Sequence, residues 1–154
     1  MFSRTPVAAT LCGLAVLLFA SSNPPASATN IDPNQQARIT GATKFVVQKL
    51  QIWQDRMNLK DWDIRVELLR ASQLEPQTLG NIHWDTDTKK ATIAVLSPLD
   101  YNLAYQPMLK DMEFTIVHEL VHLELASLPH SEASRRPEET AVNQLADALL
   151  RLAH

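Results

Sequence analysis

Apolar residues recur along this chain with two different periods. Between residue 34 and about residue 57, Ile39, Phe45, Val46, Leu50 and Trp53 fall at three- and four-residue steps, with Gln35, Arg38, Lys49 and Gln51 outside the stripe. That spacing predicts an amphipathic helix. Residues 58–61 break it. From Trp62 the period drops to two: Trp62, Ile64, Val66 and Leu68 alternate with Asp63, Arg65 and Glu67, which predicts a strand with one buried face. A polar connection over 71–78 contains Pro76. Residues 79–84 read as a second strand, 85–90 as turn chemistry and 91–96 as a third strand, the last two strands forming a hairpin. Trp84 is a candidate for packing in the core. A helix starts near Pro107 and runs to about Ser127, where Leu128 and Pro129 end it. After a loop over 130–136, Pro137 opens a last helix reaching about Leu152, with Val142, Leu145, Leu149 and Leu152 as its apolar stripe. One helix, three strands and two helices in that order predict a single α+β domain.

The N-terminus has a different character. Arg4 precedes an apolar run from Val7 to Ala20, too short for a comfortable membrane span, and Ala26-Ser27-Ala28 follows a Ser/Pro-rich tail. We read residues 1–28 as a secretory signal peptide cleaved after Ala28, with an uncleaved anchor as the alternative. The domain is then 29–154, exported to a periplasmic or extracellular space and without stable membrane insertion. The single cysteine, Cys12, lies in the signal, so the exported domain has neither disulfides nor cysteine metal ligands. With Arg4 removed, 13 basic residues face 17 acidic ones, and no basic cluster exceeds Arg135-Arg136 or Lys89-Lys90. A nucleic-acid partner is not expected from that equipment.

The chemistry concentrates in the predicted helix over 107–127, which contains His118-Glu119-Leu120-Val121-His122. Residues four apart share a helix face, so the two imidazoles can aim at one point while Glu119 stands beside it. A zinc hydrolase needs that layout: two neutral nitrogen ligands, and a carboxylate placed to take a proton from an activated water. The flanks (Phe114, Ile116, Val117, Leu120, Val121, Leu123, Leu125) are apolar, so the polar groups between them are buried and must find partners.

Catalytic zinc usually has three protein ligands. Of the remaining histidines, His154 is terminal, His130 lies in the following loop and His83 on the second strand. Glu138 and Glu139, at the start of the last helix, are better candidates. His-Glu-Leu-Val-His followed by Glu139-Thr-Ala-Val-Asn143-Gln-Leu-Ala146 resembles the gluzincin branch of the zincin metallopeptidases and is similar to small zincin domains of the ImmA/IrrE type. The resemblance covers about a third of the chain. It implies a minimal zincin-like fold, His118, His122 and Glu139 as ligands of Zn²⁺, Glu119 as general base, and position 143 orienting His118. In the gluzincins that position holds Asp; Asn143 accepts a hydrogen bond but carries no charge. Helical phase favours Glu138 instead, because it lies along the Val142/Leu145/Leu149 stripe.

The expectation is therefore an exported zinc metallopeptidase acting on a peptide or protein substrate. The alternative is a zincin-fold zinc-binding module with a recognition or regulatory role. A third reading is a structural domain without metal. His83, Tyr101 and Tyr105 are weighed as oxyanion donors, with a surface role for the histidine and packing roles for the tyrosines as the plainer readings. Asp85 and Asp87 read as hairpin-turn residues rather than calcium ligands.

Overall fold

The computed structural model describes residues 32–128 and 135–153. The predicted signal, His130 and His154 lie outside the described residues. The order of elements is α1 (Pro33–Arg56), β1 (Asp63–Leu69), a 3-10 turn (Ala71–Gln73), β2 (Gly80–Asp85), β3 (Lys90–Leu96), α2 (Tyr105–Leu125) and α3 (Arg135–Leu152). The fold is α+β, with three helices and one three-stranded mixed sheet. No described helix is long and apolar enough to cross a membrane.

Local chemistry sets most of the boundaries. Asp32 caps α1, its Oδ1 accepting from the Asn34 amide at 3.2 Å, and Pro33 stands in the first turn where its missing N–H costs nothing. Beyond the C-terminus of α1, Asn58 takes a left-handed conformation (φ 56°), one of the few residue types that do so readily. The Asp85 carboxylate accepts from the Asp87 and Thr88 amides and closes the β2–β3 turn. The helix carrying the His-Glu-x-x-His stretch begins two residues before Pro107, and α3 begins two residues before Pro137.

The strand order is β1-β3-β2. β2 and β3 form the predicted antiparallel hairpin, and β1 adds to the other side of β3 in parallel, with Val66 opposite Ile93. β3 is thus central and buried on both faces. Ala91, Ile93 and Val95 join the main core, while Ala94 and Leu96 meet Leu74 from the connection over 71–78.

α2 is the hub. It packs against α1, α3, β2 and β3. Met108, Met112, Ile116, Val117 and Leu120 are fully enclosed, each contributing roughly 1.5–3 kcal/mol by leaving water. Its one buried acid outside the motif, Glu113, accepts from Trp53 Nε1 at 2.9 Å and pairs with Lys49 Nζ at 2.9 Å, so α1 supplies both partners of that charge.

Two apolar expectations are corrected. α3 meets the core through Val142 and Ala146, with Leu149 and Leu150 packed alongside; Leu145 and Leu152 are exposed, because the helix turns its 142/146 line toward α2. Trp84 is also exposed, since β2 is an edge strand and its far end projects past the helices.

Candidate metal centre

The two histidines sit on consecutive turns of α2, and the first two turns of α3 lie across from them. The rings meet edge to face with centroids 4.8 Å apart, and their Nε2 atoms are 3.2 Å from each other. Ligand atoms of His118, Glu119 and His122 lie within 4.8 Å of one another. α3 adds the glutamates. Glu139 Oε2 is 3.5 Å from His118 Nε2, and its Oε1 is 3.4 Å from His122 Nε2. Glu138 stands elsewhere, with Oε1 3.4 Å from His122 Nδ1. The carboxylate that faces both Nε2 atoms is therefore that of Glu139. Leu145, which shares the face of Glu138, is turned away from the core, and α3 buries its Val142/Ala146 line instead.

Hydrogen bonds fix the first ring. Asn143 Nδ2 donates to the Glu139 carbonyl at 2.8 Å, which identifies the amide oxygen as the atom 3.2 Å from His118 Nδ1. An oxygen acceptor there requires the proton on Nδ1, leaving Nε2 of a neutral ring with a lone pair. Burial, and secondarily His122, holds the His118 pKa below its ordinary value against the opposing pull of Glu139 and Asn143, so the ring is neutral at neutral pH. His118 Nε2 then points a lone pair at the Glu139 carboxylate, an arrangement of acceptors that only a cation or a proton relieves.

The spacing suits a metal. A tetrahedral ion with bonds of about 2.0–2.1 Å has ligand–ligand edges of about 3.3–3.4 Å. The three contacts among His118, His122 and Glu139 are 3.2, 3.4 and 3.5 Å. Two imidazoles and one carboxylate are also a donor set that takes several divalent transition metals.

Glu119 is held differently. It is 6 % exposed, and its carboxyl is pushed up to about 8, first by burial and then by the nearby Glu139 charge. Gly80 of β2 lies beside it. A Cβ at position 80 would collide with Thr115 Cγ2, stand 2.6 Å from the Ala94 carbonyl and lie 3.5 Å from Glu119 Oε1. Glycine here lets the edge strand approach α2 at the level of the general-base candidate, and a glycine inside a strand pattern is the sequence signal that marks it.

These residues open onto a cleft of about 620 Å³. One wall is the 79–84 segment; the other carries Phe114, Thr115, His118, Glu119, His122, Glu139 and Asn143. Leu96 N donates to Leu79 O at 2.8 Å, so alternate residues of β2 are turned toward β3. Gly80, Ile82 and Trp84 consequently direct their N–H and C=O groups to the open edge. His83 and Trp84 line the cleft, whereas Tyr101 and Tyr105 do not. The Tyr101 hydroxyl is buried near Asp111 and Thr115, its pKa well above the ordinary value through burial and the Asp111 charge. Tyr105 lies under the Arg38 guanidinium. Packing describes both tyrosines, and the oxyanion expectation for them is withdrawn. Glu124 is exposed, off the site.

No family model, curated protein or solved structure matches the chain.

Proposed function

We propose that this chain is an exported zinc-dependent metallopeptidase of the zincin type, hydrolysing peptide bonds in the cleft between β2 and α2. The observation that carries this reading is the convergence of His118 Nε2, His122 Nε2 and the Glu139 carboxylate at the edge lengths of a tetrahedral ion. His118, His122 and Glu139 would hold the metal. Bound there, zinc supplies a Lewis acid that acidifies water and polarises the scissile carbonyl.

The remaining work falls to the chain. The open edge of β2 binds an extended peptide backbone through the amides and carbonyls of Gly80, Ile82 and Trp84, as a strand added to a sheet. Glu119, whose Oε1 lies nearest Gly80, takes the proton of the attacking water and returns it to the leaving amine. A positive charge in the site favours the ionised carboxylate that this requires and opposes the burial that keeps the group protonated. The walls of the cleft exclude bulk water along one side of the scissile bond.

Glu119→Gln is expected to retain zinc and lose hydrolysis of casein or a peptide library by about 10²–10⁴-fold, the usual worth of a general base. His118→Ala is expected to lose both metal and hydrolysis. Cleavage by the Gln variant at the wild-type rate sinks the mechanism. Stoichiometric zinc in a wild-type protein that cleaves nothing points instead to a zinc-binding module.

A further inference from the structure

We propose that Gln77 binds substrate, its carboxamide pairing with the main chain of the peptide within about three residues of the scissile bond. The inference rests on the cleft and reaction proposed above and assigns the turn at one end of that cleft. Glu75, Gln77 and Thr78 continue the β2 wall beyond Leu79. Thr78 N donates to the Glu75 carbonyl at 3.2 Å, and Thr78 Oγ1 donates to the same oxygen at 2.9 Å. A four-residue turn therefore runs from Glu75 to Thr78, with Pro76 second and Gln77 third. Both of its ends are anchored. Leu74 is buried against Ala94 and Leu96, and the Leu79 carbonyl accepts from Leu96 N at 2.8 Å.

Gln77 takes φ 67°. Proline second and a left-handed third residue define a turn that calls for glycine or asparagine in third place, and a longer side chain there costs stability. Among the described residues, two others share this conformation, and each has a reason. Asn58 is of a type that adopts it readily. Lys89 sets its ammonium over the Trp62 ring and pairs with Asp61 at 3.5 Å. Gln77 has neither reason: it is exposed, and its carboxamide has no hydrogen-bond partner among the described residues. Strain kept at a cleft wall, on a side chain without a partner inside the chain, points to use by what the cleft holds. The amide states the chemistry of that occupant, since it donates and accepts as a peptide group does. Gly80, beside Glu119, opens β2, so a peptide running past it leaves the strand edge. Gln77, three positions upstream, offers the next peptide group a donor and an acceptor.

The experiment uses the zinc-loaded full chain and fluorescein-labelled casein. Binding is read by anisotropy in a Glu119→Gln background, which stops hydrolysis, and KM and kcat are read with Glu119 in place. Gln77→Gly is expected to raise the casein Kd and KM about 2–10-fold, the worth of one or two neutral hydrogen bonds, with kcat and zinc affinity kept. The same variant is expected to shift the urea-unfolding equilibrium about 2–5-fold toward the native state, because it relieves the left-handed residue. Gln77→Met keeps the length and the strain without the amide; it is expected to match Gln77→Gly in binding and the wild type in stability. Gln77→Asn, which keeps an amide and adopts this φ readily, recovers part of the binding and keeps the gain in stability. Wild-type casein affinity in both the Gly and Met variants overturns the assignment. So does a Gly variant no more stable than wild type, a loss confined to kcat, or a zinc-loaded protein that binds no casein. A protein that binds casein without hydrolysing it sinks the peptidase reading instead, and the binding comparison still decides Gln77.

Discussion

Replacing Glu119 by Gln in the metal-free protein is expected to raise stability by an amount that grows with pH. The carboxyl is 6 % exposed and titrates at about 8, against an ordinary value of 4.5, because burial and then the Glu139 charge oppose its ionisation. Between those two values the folded state keeps a proton that the unfolded chain has released. The native state binds more protons there, so stability falls as pH rises through the window. Each pH unit well inside it is worth about 1.4 kcal/mol. Between pH 5 and 7 the wild type is then expected to lose on the order of 2–3 kcal/mol through this group. Glutamine has nearly the same shape and does not titrate, so it lacks that slope. Below the ordinary carboxyl value both states are protonated and the contribution is fully present. The assay is urea unfolding with excess chelator at a series of pH values, comparing the two proteins at each. Curves that stay parallel from pH 5 to 8 refute the reasoning, because the slope of their difference belongs to position 119.

Two further outcomes follow from the packing. Gly80→Ala places a methyl group against Thr115 Cγ2 and the Ala94 carbonyl. It is expected to cost about 1–3 kcal/mol in chemical unfolding and to reduce hydrolysis, and wild-type behaviour in both assays would show that the close approach of β2 is dispensable. Lys49→Met removes the cation that pairs with buried Glu113 and leaves the carboxylate with the Trp53 indole N–H. A loss of about 3–5 kcal/mol is expected in chemical unfolding, with zinc affinity unchanged; a neutral result would mean that the Lys49 cation does not hold the buried carboxylate in place.

The elements were legible because their signals are local. The stripe through Val46, Leu50 and Trp53 and the alternation through Ile64, Val66 and Leu68 are set by neighbours a few residues away, and the structure places α1 and β1 accordingly. His118, Glu119 and His122 were legible for the same reason, since one turn of helix brings them together. What escaped depended on distant partners. Nothing near β1 indicates that it pairs in parallel with β3 rather than extending the β2 edge. Trp84 was misplaced because burial on an edge strand depends on what covers it. Leu145 and Ala146 are one residue apart, and the way α3 crosses α2 decides which is buried. The choice between Glu138 and Glu139 turned on that same crossing.

The docking of α3 has a consequence for when the site exists at all. α2 alone carries the paired imidazoles and the buried acid, but Glu139, Glu138 and Asn143 all arrive on α3. Among the described residues of that helix only Val142 and Ala146 are fully enclosed, with Leu149 and Leu150 partly buried beside them, which is a thin apolar anchor. An ion shared by the two helices would act as a clasp, adding its binding energy to the attachment of α3. A chain whose last helix has not docked would have two histidines without the Glu139 carboxylate facing them and without Asn143 beside His118 Nδ1. On the proposed reading such a protein would be latent: hydrolytic competence would wait on the docking of α3, and removal of the ion would loosen the element that completes the site.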